Sequence, residues 1–150
     1  MIRIEIANSQ NNVPLDDAQL CAAVRLVLED RAIAEARVSV AVVDDATIAA
    51  LHEKYLDDPD PTDVLSFLLE SSDGYLEGEV VVSAETAVVS APEYGWTAAD
   101  ELLLYVIHGT LHLVGCDDAT PATRAQMQAK ERQCLARFGL EGRYEKHERV

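Results

Sequence analysis

HGTLHLVGCDD, residues His108 to Asp118, sets two histidines four positions apart, then a glycine, then two aspartates. On an α-helix four residues advance about 400°, so His108 and His112 share a face about one turn apart and can offer two imidazoles to one ion. The stretch before them, from Ala98 through LLLYVI, is mostly apolar and reads as a core helix ending near Val114, with its histidines half-buried. Gly115 can close that helix in a left-handed conformation that costs other residues energy, turning the chain back toward the imidazoles. A third ligand then arrives from beyond the turn. Asp118 completes the spacing HxxxHxxGxxD, two imidazoles and one carboxylate with a fourth position open, which is the donor set of catalytic rather than structural zinc sites.

A zinc ion so held activates water at neutral pH and polarises the bond under attack, so hydrolysis is the implied reaction class. Two histidines at this spacing also occur in ordinary helices, each satisfied in the core; Gly115 and the acidic pair raise this instance above that background. Gly109 stands where helix-borne zinc proteases carry their glutamate general base, which argues against proteolysis.

Outward from this helix the pattern mixes strands and helices without strict alternation. IRIEIA at the start alternates like a half-buried strand. Asp16 opens a helix to about Asp30, and VSVAVVDD from Val38 reads as a strand covered on both faces. Asp45 is expected to cap a helix ending near Leu56, and the prolines of DDPDP force a loop. DVLSFLLE, a turn at SSDG, and EVVVS from Glu79 to Ser83 could form a hairpin. Helices are expected at about 84 to 92, 98 to 114 and 120 to 138, the last with Thr120 as cap and Pro121 in first position. The expected architecture is a single α+β domain over residues 1–150: a four-stranded mixed sheet with helices packed mainly on one face.

At 150 residues the chain can remove roughly two thirds of its unfolded surface from water. Three cysteines without paired spacing make a disulfide framework a poor fit, and no stretch approaches an apolar membrane span. The expectation is a soluble, cytoplasmic protein with no membrane partner. Lys and Arg number 12 against 27 Asp and Glu, a formal charge of −15, which opposes broad affinity for phosphate backbones and gives no reason to expect DNA as a partner.

Two stretches together resemble the YbeY family of bacterial endoribonucleases and rRNA maturation factors. HGTLHLVGCDD is similar to the family's HGxLHLxGYDH, PTDVLSF (residues 61 to 67) matches its other signature upstream, and LEGEVVVS is weakly similar to a family strand. The resemblance covers nearly the whole chain. It implies a YbeY-like fold, one zinc-like ion bound by His108, His112 and Asp118, and metal-dependent cleavage of single-stranded RNA. It also implies action on ribosomal RNA and the ribosome, in maturing the small-subunit 3′ end and in ribosome quality control.

Several positions depart from the family pattern. Asp118 stands where the family has a histidine, and a shorter, anionic ligand should reduce the positive charge of the site. Asp117 matches the family's own aspartate and is expected to orient a ligand histidine from behind. Leu56 occupies the position of an arginine thought to serve catalysis, and leucine offers a phosphate nothing. Lys54 should point elsewhere, while His52 could be a substitute polar group. Cys116 replaces a tyrosine and is read as packing rather than as a ligand. Asp63 is read as bracing its loop, with a place in the cleft as the other option, and Ser66 is open between the two roles. Two other functions stay open here: a non-catalytic ribosome-associated or protein-binding factor that keeps the fold and metal, and a metal-dependent hydrolase of a smaller substrate.

Overall fold

A computed structural model describes residues 1–60 and 62–140. Pro61, first residue of the PTDVLSF stretch, and residues 141–150 of the expected domain lie outside the described residues. The element order is β1 (Ile2–Asn8), α1 (Asp17–Asp30), β2 (Glu35–Val43), α2 (Asp45–Leu56), β3 (Val64–Ser72), β4 (Tyr75–Ser83), α3 (Ala84–Ser90), a 3₁₀ turn at Ala91–Tyr94, α4 (Ala98–Leu113) and α5 (Pro121–Ala136). The sheet order is β1-β2-β4-β3, with β1, β2 and β4 parallel and β3 antiparallel to β4. The protein is therefore α+β with a mixed four-stranded sheet.

Local chemistry explains most boundaries. Asp16 and Thr120 cap their helices by accepting backbone amides, as the sequence suggests, and Thr97 does the same for α4. The α2 cap is Asp44 rather than Asp45, its side chain 2.8 Å from the Thr47 amide. Asp45 is drawn instead to Ser83 and Thr86, whose hydroxyls donate to its carboxylate and tie α2 to the β4–α3 junction. The hairpin turn is only Asp73 and Gly74, because Ser72 pairs with Tyr75; both strands run further than their apolar cores indicate. Gly74 takes a positive φ of 71°, the conformation such a tight turn needs.

The second strand corrects an expectation. Ala36, Val38, Val40 and Val42 are buried, whereas on the other face Glu35, Arg37 and Ser39 are exposed and only Ala41 and Val43 are covered, so β2 is covered along one face and at one end of the other. The main core lies between that face and α1, α3, α4 and α5. On the other face α2 covers one end, where Ile48 packs with Val43, Leu65 and Val81. Among the described residues no helix is long and apolar enough to cross a membrane.

The helix carrying the histidines is the centre of the construction. Residues Leu102 to Ile107 of α4 are each at most 1% exposed. A Cβ built on Gly109 would fall 2.5 Å from Val80 Cγ1 and 2.9 Å from Val64 Cγ2, so α4 lies directly on β3 and β4 here and only glycine fits. Ser66 locks the contact by donating to the Gly109 carbonyl at 2.8 Å. This close approach holds the last two turns of α4, and hence both imidazoles, rigidly against the sheet.

Candidate metal centre

His108 and His112 project from one side of α4, with Nε2 atoms 3.1 Å apart. Gly115, at φ 96°, reverses the chain after the helix, and Asp118 returns with Oδ2 at 3.7 Å from His108 Nε2 and 3.8 Å from His112 Nε2. The circle through these three atoms has a radius of about 2.1 Å, inside the ~2.0–2.2 Å range of zinc bonds to imidazole and carboxylate. One ion at bonding distance from all three therefore fits the residues present. Among the described residues this is the one group of three or more His, Cys, Asp or Glu with donors converged closely enough to hold an ion.

The carboxylate that orients His108 is one the sequence did not single out. Glu131 of α5, 2% exposed, sits with Oε2 2.6 Å from His108 Nδ1. Nδ1–H donating to Glu131 leaves the Nε2 lone pair facing the other two donors. Burial works to lower the His108 pKa. The Glu131 hydrogen bond and the charges of Glu131, Asp63 and Asp118 outweigh it and hold the pKa above the ordinary imidazole value. His112 moves the other way: burial and the charge of His108 lower its pKa, against Asp118 and a bond to the Cys116 backbone.

Asp117, expected behind a ligand, is occupied elsewhere. It accepts from the Ala119 amide at 3.1 Å and from Thr123, which braces the turn into α5 and depresses its pKa. Cys116 packs its side chain against the core. Asp63 lines the same cleft as His108 and Asp118, and its backbone carbonyl accepts from the Ser83 amide, so it both borders the site and joins β3 to β4. Ser66 braces α4 from beneath. His52 bonds the Asp60 carbonyl at 2.8 Å and steadies the 57–60 loop, while Lys54 lies over the Tyr55 ring, 5.1 Å from its centroid. Leu56 ends α2 with 58% of its surface exposed.

The cleft beside the three donors has a volume of about 360 Å³ and is bordered by His108, Asp118, Glu131, Asp63, Arg124, Met127 and Gln128. A signal for Glu131 exists in the sequence, as the sole acid of α5, but its partner lies 23 positions away and the spacing alone names no contact.

Comparison with known proteins gives the family. The family model described as endoribonuclease YbeY matches residues 5–139. The chain belongs to the YbeY family. Curated YbeY relatives named endoribonuclease include those of Moorella thermoacetica, 38% identical over 90% of this chain and 96% of the relative, and Beutenbergia cavernae, 37% identical over 93% and 98%. The Rhodopirellula baltica relative is 44% identical over 69% of this chain, which spans only 55% of that protein. The solution structure of TM1509 from Thermotoga maritima matches the YbeY chain with a TM-score of 0.60 and 26% identity, over 96% of this chain and 95% of that one.

Proposed function

We propose that this YbeY chain is a metal-dependent endoribonuclease that cleaves single-stranded RNA with one zinc-class ion held by His108, His112 and Asp118. The observation that carries the reading is the triangle of donors, 3.1 to 3.8 Å on a side, at an open cleft in a member of an endoribonuclease family. Such an ion, when bound, supplies Lewis acidity and activates water for attack at phosphorus. The rest is work for the chain's own groups. Glu131 and the Cys116 backbone hold the two imidazoles in the orientation that turns Nε2 toward a shared point. Asp118 adds a negative charge to the donor set, which makes the site less electrophilic than three imidazoles would. Gly109 places no side chain between α4 and the sheet, so a general base cannot come from that position. By family likeness, the cellular target proposed is the 3′ end of small-subunit ribosomal RNA, with action in the cytoplasm and in ribosome quality control.

The test combines elemental analysis of purified protein with cleavage of an end-labelled single strand, with and without chelator, for wild type and His108→Ala. About one ion per chain, lost in the variant, and chelator-sensitive cleavage are expected. Equal metal content in both proteins, or cleavage indifferent to chelator, overturns the reading. One observation favours a second reading, a non-catalytic ribosome-associated factor: at the position where the resembling family carries an arginine this chain has Leu56, exposed at the end of α2 and with no charge to offer a phosphate. That protein would bind metal and leave RNA intact.

A further inference from the structure

A formal charge of −15 repels RNA from most of this surface, so the position of the few cations decides where a strand can lie. Residues 121–140 hold four of the 12 cations, Arg124, Lys130, Arg132 and Arg137, and one of the 27 acids, Glu131. That acid is 2% exposed and bonded to His108, so the solvent-facing side of α5 carries no carboxylate.

Three hollows adjoin one another along this helix. The first is the metal cleft, with Arg124 on its border. The second, about 200 Å³, lies between α5 and the Gly115–Asp117 turn and is lined by Arg31 and Lys130. The third, about 100 Å³, lies between α1 and α5 and is lined by Arg31, Lys130 and Arg137. Met127, 2% exposed, borders both the first and second hollows, and Arg31 and Lys130 border both the second and third, so the three lie in series. From Arg124 to Arg137 they follow about 20 Å of helix.

Two acids, Asp117 and Asp30, border the second and third hollows beside these cations. Arg31 donates one Nη2 bond to the Val114 carbonyl at 3.0 Å, which fixes its guanidinium at the end of α4 while other donors of the fork stay open. Asp117, in the second hollow, is held by Ala119 and Thr123, and Asp30 borders the third. The cations on the open face of the sheet differ: Arg3 and Arg37 sit among Glu5, Glu77 and Glu79, and Arg37 is paired with Glu77 at 3.8 Å.

We propose that Arg124, Arg31, Lys130 and Arg137 form a track along α5 that carries the phosphate backbone of single-stranded RNA into the metal cleft. Ion contacts with phosphates release bound counterions, so each contact steepens the salt dependence of binding by ~0.7 in the slope of log K against log salt for a single strand. The ligand class rests on the nuclease reading. The measurement does not, because it follows binding rather than cleavage.

The probe is a fluorescein-labelled 2′-O-methyl single strand, titrated by anisotropy over a range of salt with metal-loaded protein. Lys130→Gln/Arg137→Gln is compared with Arg3→Gln/Arg37→Gln, which changes net charge equally on the open face of the sheet. The track pair should flatten the slope by about 1.4, two lost contacts, and weaken binding at least ~10-fold at ~50 mM salt. The sheet pair should stay within about twofold of wild type, and circular dichroism checks that both remain folded. Equal losses in the two pairs, or an unchanged slope in the track pair, overturn the track. Chelator-sensitive cleavage with an unchanged slope would sink the track and keep the nuclease; a flattened slope without cleavage by wild type would keep the track and sink the nuclease.

Discussion

Glu131→Gln removes one charge and almost no volume from the least exposed part of the metal centre. The carboxylate is 3% exposed and meets His108 Nδ1 at 2.6 Å, a charge-assisted bond in a poorly solvated place. Such a bond contributes about 1.5–3 kcal/mol, and loss of a partner that orients a ligand imidazole typically lowers metal affinity 10- to 100-fold. The two ranges agree, since tenfold is ~1.4 kcal/mol. Zinc affinity at a fixed pH should therefore fall 10- to 100-fold, measured by competition with a chromophoric chelator. The pH dependence carries a sign. Because the folded His108 pKa is raised, the imidazolium–Glu131 pair stabilises the metal-free protein fully below the unfolded value of ~6.5 and is lost as pH rises through the folded value. Metal must displace that proton, so wild-type affinity declines as pH falls through the raised pKa, and in the Gln variant the decline begins at lower pH. Metal-free thermal melts should likewise show the variant least stable relative to wild type in acid, with the gap closing as pH rises. Unchanged zinc affinity, within twofold, together with an unchanged onset of the pH decline, would refute the orienting role of Glu131.

Asp118→His should tighten zinc binding by restoring a third imidazole, and the position, 46% exposed at the side chain, has room for the ring; unchanged or weaker affinity in the same chelator competition removes Asp118 from the ligand set. Leu56→Arg should raise cleavage of a labelled single strand, by at most ~10²- to 10³-fold, the worth of one well-placed cationic donor. Its 58% exposure lets the new guanidinium remain in water, so a folded, metal-bound variant with wild-type cleavage favours the non-catalytic reading. Gly109→Ala should destabilise the fold by about 1–3 kcal/mol, because the added methyl would meet Val80 and Val64 side chains at 2.5 and 2.9 Å; a wild-type melting temperature would mean that α4 does not rest on the sheet as described.

Whatever depends on neighbours in the chain was legible in the sequence. Helix geometry alone puts His108 and His112 on one face, Gly115 alone explains the reversal, and the caps at Asp16 and Thr120 follow from side chains that can reach amides two or three residues on. Alternating and helical periods were enough for the α+β class and for each element, though not for the cap of α2, where Asp44 and Asp45 are equally able locally and the pull of Ser83 and Thr86 on Asp45 decides. Tertiary structure decided what lies across the fold. β2 looked apolar enough for two covered faces, yet α2 reaches only one end of it. Gly109 read as a missing catalytic glutamate and proves to be the point where α4 touches β3 and β4. Asp117, beside the proposed ligand Asp118 in sequence, turns to its own loop, and Glu131, 23 residues from His108, becomes the partner of His108 because α5 folds back over α4. Periodicity reports which face of an element is buried, but not which residue of another element it meets, because that depends on the packing of the whole chain.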